Sequence, residues 1–115
     1  MVKTGSNTIK RGDVFWVKLD PAIGSEIKKT RPAVVISNNI QNEIGVRFIV
    51  APITSGIDKV YPFEALLEIA NKKGKAQLDQ IRTIDAKRLG DFIVRLSPQE
   101  IQQIDLSLKL VLSIQ

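Results

Sequence analysis

Residues 31–37 read "RPAVVIS", and the placement of this run decides the fold. Ala33, Val34, Val35 and Ile36 follow one another with no helical period. A short apolar run rich in β-branched residues reads as a strand covered on both faces. Arg31-Pro32 opens it, and the proline keeps the residue before it in extended backbone, which restricts how the arginine is presented. Small and charged residues lead in as "GSEIKKT" (24–30), and "NNIQNEIG" (38–45) follows, rich in Asn and Gly and read as a turn or hairpin connection. A strand buried on both faces needs cover on each side, which the rest of the chain must supply.

Towards the N-terminus, residues 13–19 ("DVFWVKL") form a strand in which Val14, Trp16 and Leu19 alternate imperfectly with Phe15, Val17 and Lys18. Asp20-Pro21 closes it as a turn, and Trp16 is expected in the core. Residues 20–30 are a loop. Towards the C-terminus, "VRFIVAPIT" (46–54) is a strand whose Pro52 calls for an edge, a bulge or a strand end. A loop at 55–60 leads to "YPFEALLEI" (61–69), half-buried through Phe63, Ala65, Leu67 and Ile69. "ANKKGK" (70–75) reads as a basic turn around Gly74. "AQLDQIRTID" (76–85) reads as a strand in which Asp79 and Arg82, an odd number apart, face opposite sides. "GDFIVRLS" (90–97) is the last strand.

The final segment changes period. Ser97 stands as N-cap, Pro98 at the first helical position and Glu100 three residues after the cap. Ile101, Ile104, Leu108, Val111 and Leu112 then recur at helical spacing. The expectation is a mainly β fold with a C-terminal helix, its six or so short strands forming a small, partly open antiparallel barrel. Residues 1–9 read as a flexible N-terminal arm and 10–115 as a single domain.

Composition narrows the chemistry. The 115 residues include no cysteine and no histidine. That excludes disulfides and thiolate metal sites, together with the commonest general base and metal ligand. No paired-carboxylate, Walker-type or metal-ligand pattern is present, so no metal and no cofactor are expected. Seventeen Lys+Arg against 12 Asp+Glu give a net charge of +5, which favours polyanionic partners such as RNA, DNA or acidic protein segments. No window approaches the roughly 20 apolar residues of a membrane span. The N-terminus lacks the apolar core of a signal peptide, so a cytoplasmic location without membrane contact is expected.

Polar residues gather at three strand ends. The first group is Ser25, Glu26, Lys28, Lys29 and Arg31, where an arginine held by the following proline offers a fork for phosphate oxygens. A solvated surface loop explains the same residues. In the second, Thr54 and Ser55 precede Gly56, and a hydroxyl with a backbone N–H there could hold phosphate; simple turn chemistry is the alternative. The third is "QLDQIRTID" (77–85), whose polar residues read equally as part of a site or as a buried ion pair or hydrogen-bond network. Lys72, Lys73 and Lys75 read as a solvated turn before they read as a phosphate patch.

Taken together, "RGDVFWVKLDPAIGSEIKKTRPAVVIS", "VAPITS", "YPFEALLE" and "LDQIRTIDAKRLG" resemble, in order and spacing, the MazF/PemK family of toxin endoribonucleases over about residues 9–115. The resemblance implies an SH3-like β-barrel with a C-terminal helix, as in PemK and CcdB, forming a homodimer. It implies metal-independent, sequence-selective cleavage of single-stranded mRNA by 2′-OH attack, and a cognate acidic MazE-like antitoxin that covers the active groove. Arg31 matches the family's Arg-Pro arginine and Thr54 its P-x-T threonine. Glu26 matches an acidic residue after Gly-Ser with a general-base role. Those three are the expected catalytic residues, with Ser25, Lys28, Lys29, Ser55, Asp79 and Gln80 expected to bind substrate. The chain departs from the PemK branch, which has histidine where Ser25 stands and arginine where Gln77 stands, while "YPFE" (61–64) points to the MazF branch. Two rival readings share the barrel: a non-catalytic, gyrase-directed toxin like CcdB, and a module that binds RNA or an acidic peptide without cutting.

Overall fold

The apolar run at 33–36 is the middle of the sheet, and its alternation feeds two separate cores. Val34 and Ile36 point into one with Val14, Ala51, Ile53 and Leu67. Ala33 and Val35 point into the other with Val17, Phe48, Val50 and Ile84. The computed structural model describes residues 8–19 and 30–115. Among them, β1 (Asp13–Lys18), β2 (Thr30–Val35), α1 (Asn39–Ile44), β3 (Arg47–Thr54), β4 (Glu64–Ile69), β5 (Lys72–Gln77), β6 (Arg82–Asp85), β7 (Leu89–Arg95) and α2 (Pro98–Leu112) follow in order. Short 3₁₀ turns occupy Leu78–Gln80 and Ala86–Arg88.

The strands pair antiparallel in the order β4-β5-β3-β2-β1-β7, with β6 also laid along β3. On one edge, residues 47–50 of β3 pair with β6 and Ile53 and Thr54 pair with β5. Pro52 is therefore neither at a sheet edge nor at the strand's end. It stands where the partner changes, so the ladder on that edge is interrupted at the residue with no N–H to give. This change of partner curls the sheet into the expected partly open barrel.

Helix α2 closes one face. Ser97 and Glu100 form a reciprocal capping box, with the Ser97 Oγ accepting the Glu100 N–H and the Glu100 carboxylate accepting the Ser97 N–H. The helix also protects the sheet's edge: Glu100 accepts the Glu68 N–H at 2.9 Å, and the buried Ser107 hydroxyl reaches the Pro62 and Glu64 carbonyl oxygens. No helix among the described residues is long and apolar enough to cross a membrane.

Several local expectations are corrected. Residues 38–45 are not a turn but contain α1, whose Asn38 caps the N-terminus by accepting the Gln41 N–H and whose Gly45 ends it at φ +76°. The hairpin turn expected around Gly74 lies earlier, at Ala70 and Asn71, both with positive φ. Gly74 sits inside β5, where an added Cβ would lie 3.1 Å from the Ile53 side chain and the Thr54 carbonyl oxygen. The strand expected at 76–85 is broken by the 3₁₀ turn at Leu78–Gln80, so the face argument relating Asp79 to Arg82 fails. Trp16 is 42% exposed, not in the core: β1 is irregular against β7 on either side of Phe15, and α2 packs chiefly on β4 and the 3₁₀ turn. Ile9 is buried in the second core.

Candidate active site

Strands β1, β2 and β3 bring one end of the barrel together. Val17 pairs with Arg31, and the β2–β3 ladder ends at Ala33 opposite Pro52. Arg31 and Thr54 are each two residues beyond that last pair, so the register sets them across from one another. Arg31 shares the parity of Ala33 and Val35, and Thr54 that of Phe48 and Val50, so both side chains belong to the face of the second core. Both are half-buried. The Thr54 Oγ1 accepts the Gly56 N–H at 3.3 Å, the turn chemistry expected there. That bond uses a lone pair and leaves the hydroxyl proton free to donate. A planar guanidinium and a hydroxyl on one face can hold two oxygens of a phosphodiester.

The other expected residues distribute differently. Ser55 follows Thr54 on an exposed bend. Asp79 and Gln80 are exposed on the 3₁₀ turn between β5 and β6. That turn lies beside the middle of β3, between the Ile53–Ala76 and Val50–Arg82 pairs, and not at the end that carries Thr54. Ser25, Glu26, Lys28 and Lys29 lie outside the described residues.

Two arginines, neither given a site role from sequence, reach the end of β1. Arg82 has the parity of the buried Ile84 and therefore shares the face of Arg31 and Thr54. Its Nη1 reaches the Leu19 carbonyl oxygen at 3.4 Å, and the Arg88 Nη1 reaches that of Lys18 at 3.1 Å. Together they fasten the end of β1 across the open side of the barrel. The signal was Arg82's even separation from Ile84.

Lys75 is also misread as part of a solvated turn. It pairs with Thr54 across β3 and β5 and is buried. Its Nζ lies 2.9 Å from the Glu64 carboxylate and donates to the Lys59 carbonyl oxygen at 2.6 Å. Burial alone would raise the Glu64 carboxyl. The Tyr61 N–H, then Lys75 and Gln77, outweigh that and hold it below the ordinary carboxylate value. Above the pair, the Tyr61 ring stacks on Phe63 with centroids 5.2 Å apart, and the Lys59 ammonium lies 4.9 Å from the Tyr61 centroid.

Comparison with known proteins shows the family of this chain. Residues 10–112 match the family profile described as PemK-like, MazF-like toxin of type II toxin-antitoxin system. Endoribonuclease MazF9 of Mycobacterium tuberculosis is 45% identical over 116 residues, covering 92% of this chain and 98% of the relative. Endoribonuclease EndoA of Bacillus subtilis is 38% identical over 112 residues, covering 92% of this chain and 96% of the relative. The crystal structure of a MazE–MazF assembly from Deinococcus radiodurans superposes with a TM-score of 0.76 at 25% identity, covering 94% of this chain and 98% of that one. The expected fold, mainly β strands with a C-terminal helix, is the fold of these structures. This chain belongs to the family of PemK-like, MazF-like toxins of type II toxin–antitoxin systems.

Proposed function

We propose that the chain is the toxin of such a pair and an endoribonuclease that cuts single-stranded mRNA without a metal ion. The observation that carries this reading is the convergence of Arg31 and Thr54 on one face at one barrel mouth, in a chain whose relatives at 45% and 38% identity are named endoribonucleases. In the reaction the 2′-oxygen next to the cut attacks phosphorus, forming the P–O2′ bond as the P–O5′ bond breaks. The 2′-hydroxyl proton passes to a general base, a role assigned to Glu26, and the departing 5′-oxygen takes up a proton. The products are a 2′,3′-cyclic phosphate and a 5′-OH end. Arg31 stabilises the charge that builds on the phosphorane, and Thr54 hydrogen-bonds a phosphate oxygen. Ser25, Lys28, Lys29, Ser55, Asp79 and Gln80 bind the strand on either side of the cut, joined by Arg82.

Residues 10–115 act as one domain, assembled as a homodimer in the cytoplasm. The acidic MazE-like antitoxin lies in the same groove, drawn by the net charge of +5. The test is cleavage of an RNA oligonucleotide in excess EDTA with end-group analysis. Wild-type protein cuts it and leaves cyclic phosphate ends. A substrate with 2′-H at the cut site resists, and Arg31→Ala lowers kcat by about 10²–10³-fold with the fold intact. Normal cleavage of the deoxy substrate would overturn the mechanism. Binding without cutting, or toxicity through DNA damage alone, would replace it with one of the rival readings.

A further inference from the structure

Glu64 and Lys75 form an ion pair in which the carboxylate side chain is 5% exposed and the ammonium side chain 11%. Such a pair is a poor source of stability, because desolvation offsets the attraction and apolar residues of similar volume do as well or better. Each partner, however, does something an apolar residue cannot. The Lys75 ammonium donates to the Lys59 carbonyl oxygen at 2.6 Å, and the Glu64 carboxylate accepts the Tyr61 N–H at 2.9 Å. Both backbone groups belong to the connection between β3, which ends at Thr54, and β4, which begins at Glu64. Lys75 itself stands opposite Thr54 in the sheet. One buried pair thus grips the connection at two points and ties it to the strand beside the candidate catalytic threonine.

We propose that the Lys75–Glu64 pair is a positioning device: it fixes residues 55–61 against the groove through the Lys59 carbonyl and the Tyr61 N–H, and so sets which RNA sequences bind in register for cutting. The inference rests on the RNA-cleaving reading above. Fixing those two backbone points also fixes what the connection presents to solvent, namely the Lys59 ammonium and the exposed face of the Tyr61–Phe63 stack. Unstacked bases and phosphates of a single strand are read by groups of this kind, and only if they are held still.

Two double variants separate anchoring from charge pairing. Glu64→Gln/Lys75→Gln removes both charges but keeps an acceptor for the Tyr61 N–H and a donor for the Lys59 carbonyl. Glu64→Leu/Lys75→Met removes charges and anchors together while preserving volume. Both are expected to unfold within a few degrees of wild type. The Gln/Gln protein should keep the wild-type KM and cut-site preference, mapped from RNA ends. The Leu/Met protein should show about a tenfold higher KM, kcat within about twofold, and a broader set of cut sequences. Leu/Met protein with wild-type KM and preference would overturn the proposal. So would a loss of recognition in Gln/Gln equal to that in Leu/Met, since charge alone would then be at work. Amide exchange at the Tyr61 N–H, which the Glu64 carboxylate accepts, supplies a readout independent of catalysis. It should be slow in wild type and Gln/Gln and fast in Leu/Met, and uniform exchange in all three would also overturn the anchoring. If wild-type protein cuts no RNA while exchange follows this pattern, the function reading fails and the anchoring stands.

Discussion

Arg31 is held on three sides: Val17 pairs with it across the sheet, Pro32 restricts its backbone, and Ala33 begins the buried run behind it. That is why its place was readable in the sequence. An arginine before proline at the mouth of a two-faced strand has little freedom, and Thr54 follows from the same parity on β3. Arg82 receives no role from sequence because its meaning depends on the break at Leu78–Gln80, which nothing in the alternating pattern announces. Trp16 misled for a related reason, since large aromatic residues usually mark the core and the irregular β1–β7 pairing turns this one outward. Gly12 makes the sharpest single-residue demand. Its φ is +98°, and an added Cβ would lie 2.6 Å from the Ile101 Cδ1. Its N–H and carbonyl are both engaged, with the Val35 carbonyl oxygen and the Leu96 N–H. Gly12→Ala should therefore destabilise the fold by about 1–3 kcal/mol, as strain at positive φ does. Urea titration measures it, and kcat of the folded fraction should stay unchanged because Gly12 is remote from the Arg31–Thr54 mouth.

Among the elements, those with a strong period or a strong cap were legible and those without were not. Helix α2 carries both, and it is where the capping box placed it. Helix α1 has only 6 residues, too few for an apolar face to declare itself, and the Asn and Gly that read as a turn are its two caps. β5 was hidden by its lysines. One of them is buried by an ion pair that composition cannot foretell, and the glycine that suggested a turn is needed for close approach to Ile53 and Thr54. The α2 cap also does more than start a helix, because the carboxylate that completes it accepts a backbone N–H from the edge strand β4. Ser97→Ala removes the acceptor for the Glu100 N–H and should cost about 1 kcal/mol. Glu100→Ala removes the bonds to both Ser97 and Glu68 and should cost more. Denaturant midpoints of the two single variants and the double give the coupling directly, and additive effects would show that the box does not act as a unit.

For the whole molecule, the sheet divides the labour. The core under α2 supports the fold, and the second core ends in the mouth where Arg31 and Thr54 face one another. The pH dependence of stability should report the supporting half, because among the described residues the carboxyls held below their ordinary value of 4.5 are Glu64 and Glu100. In each, burial pushes the pKa up and hydrogen bonds outweigh it: the Tyr61 N–H, Lys75 and Gln77 at Glu64, and the Glu68 N–H and Ser97 at Glu100. The folded state therefore holds fewer protons than the unfolded chain in this range, and stability rises with pH there. Their contribution is complete above the unfolded value and is lost as pH falls through the lowered folded values. The urea midpoint of wild type should be level from neutral pH down to about 5 and then decline steadily. Glu64→Gln and Glu100→Gln should each be less stable than wild type at neutral pH and converge with it in acid, since each lacks one of the groups that titrates. Parallel curves that never converge would show that neither carboxylate is linked to folding, and the hydrogen bonds described for them would have to be reassigned.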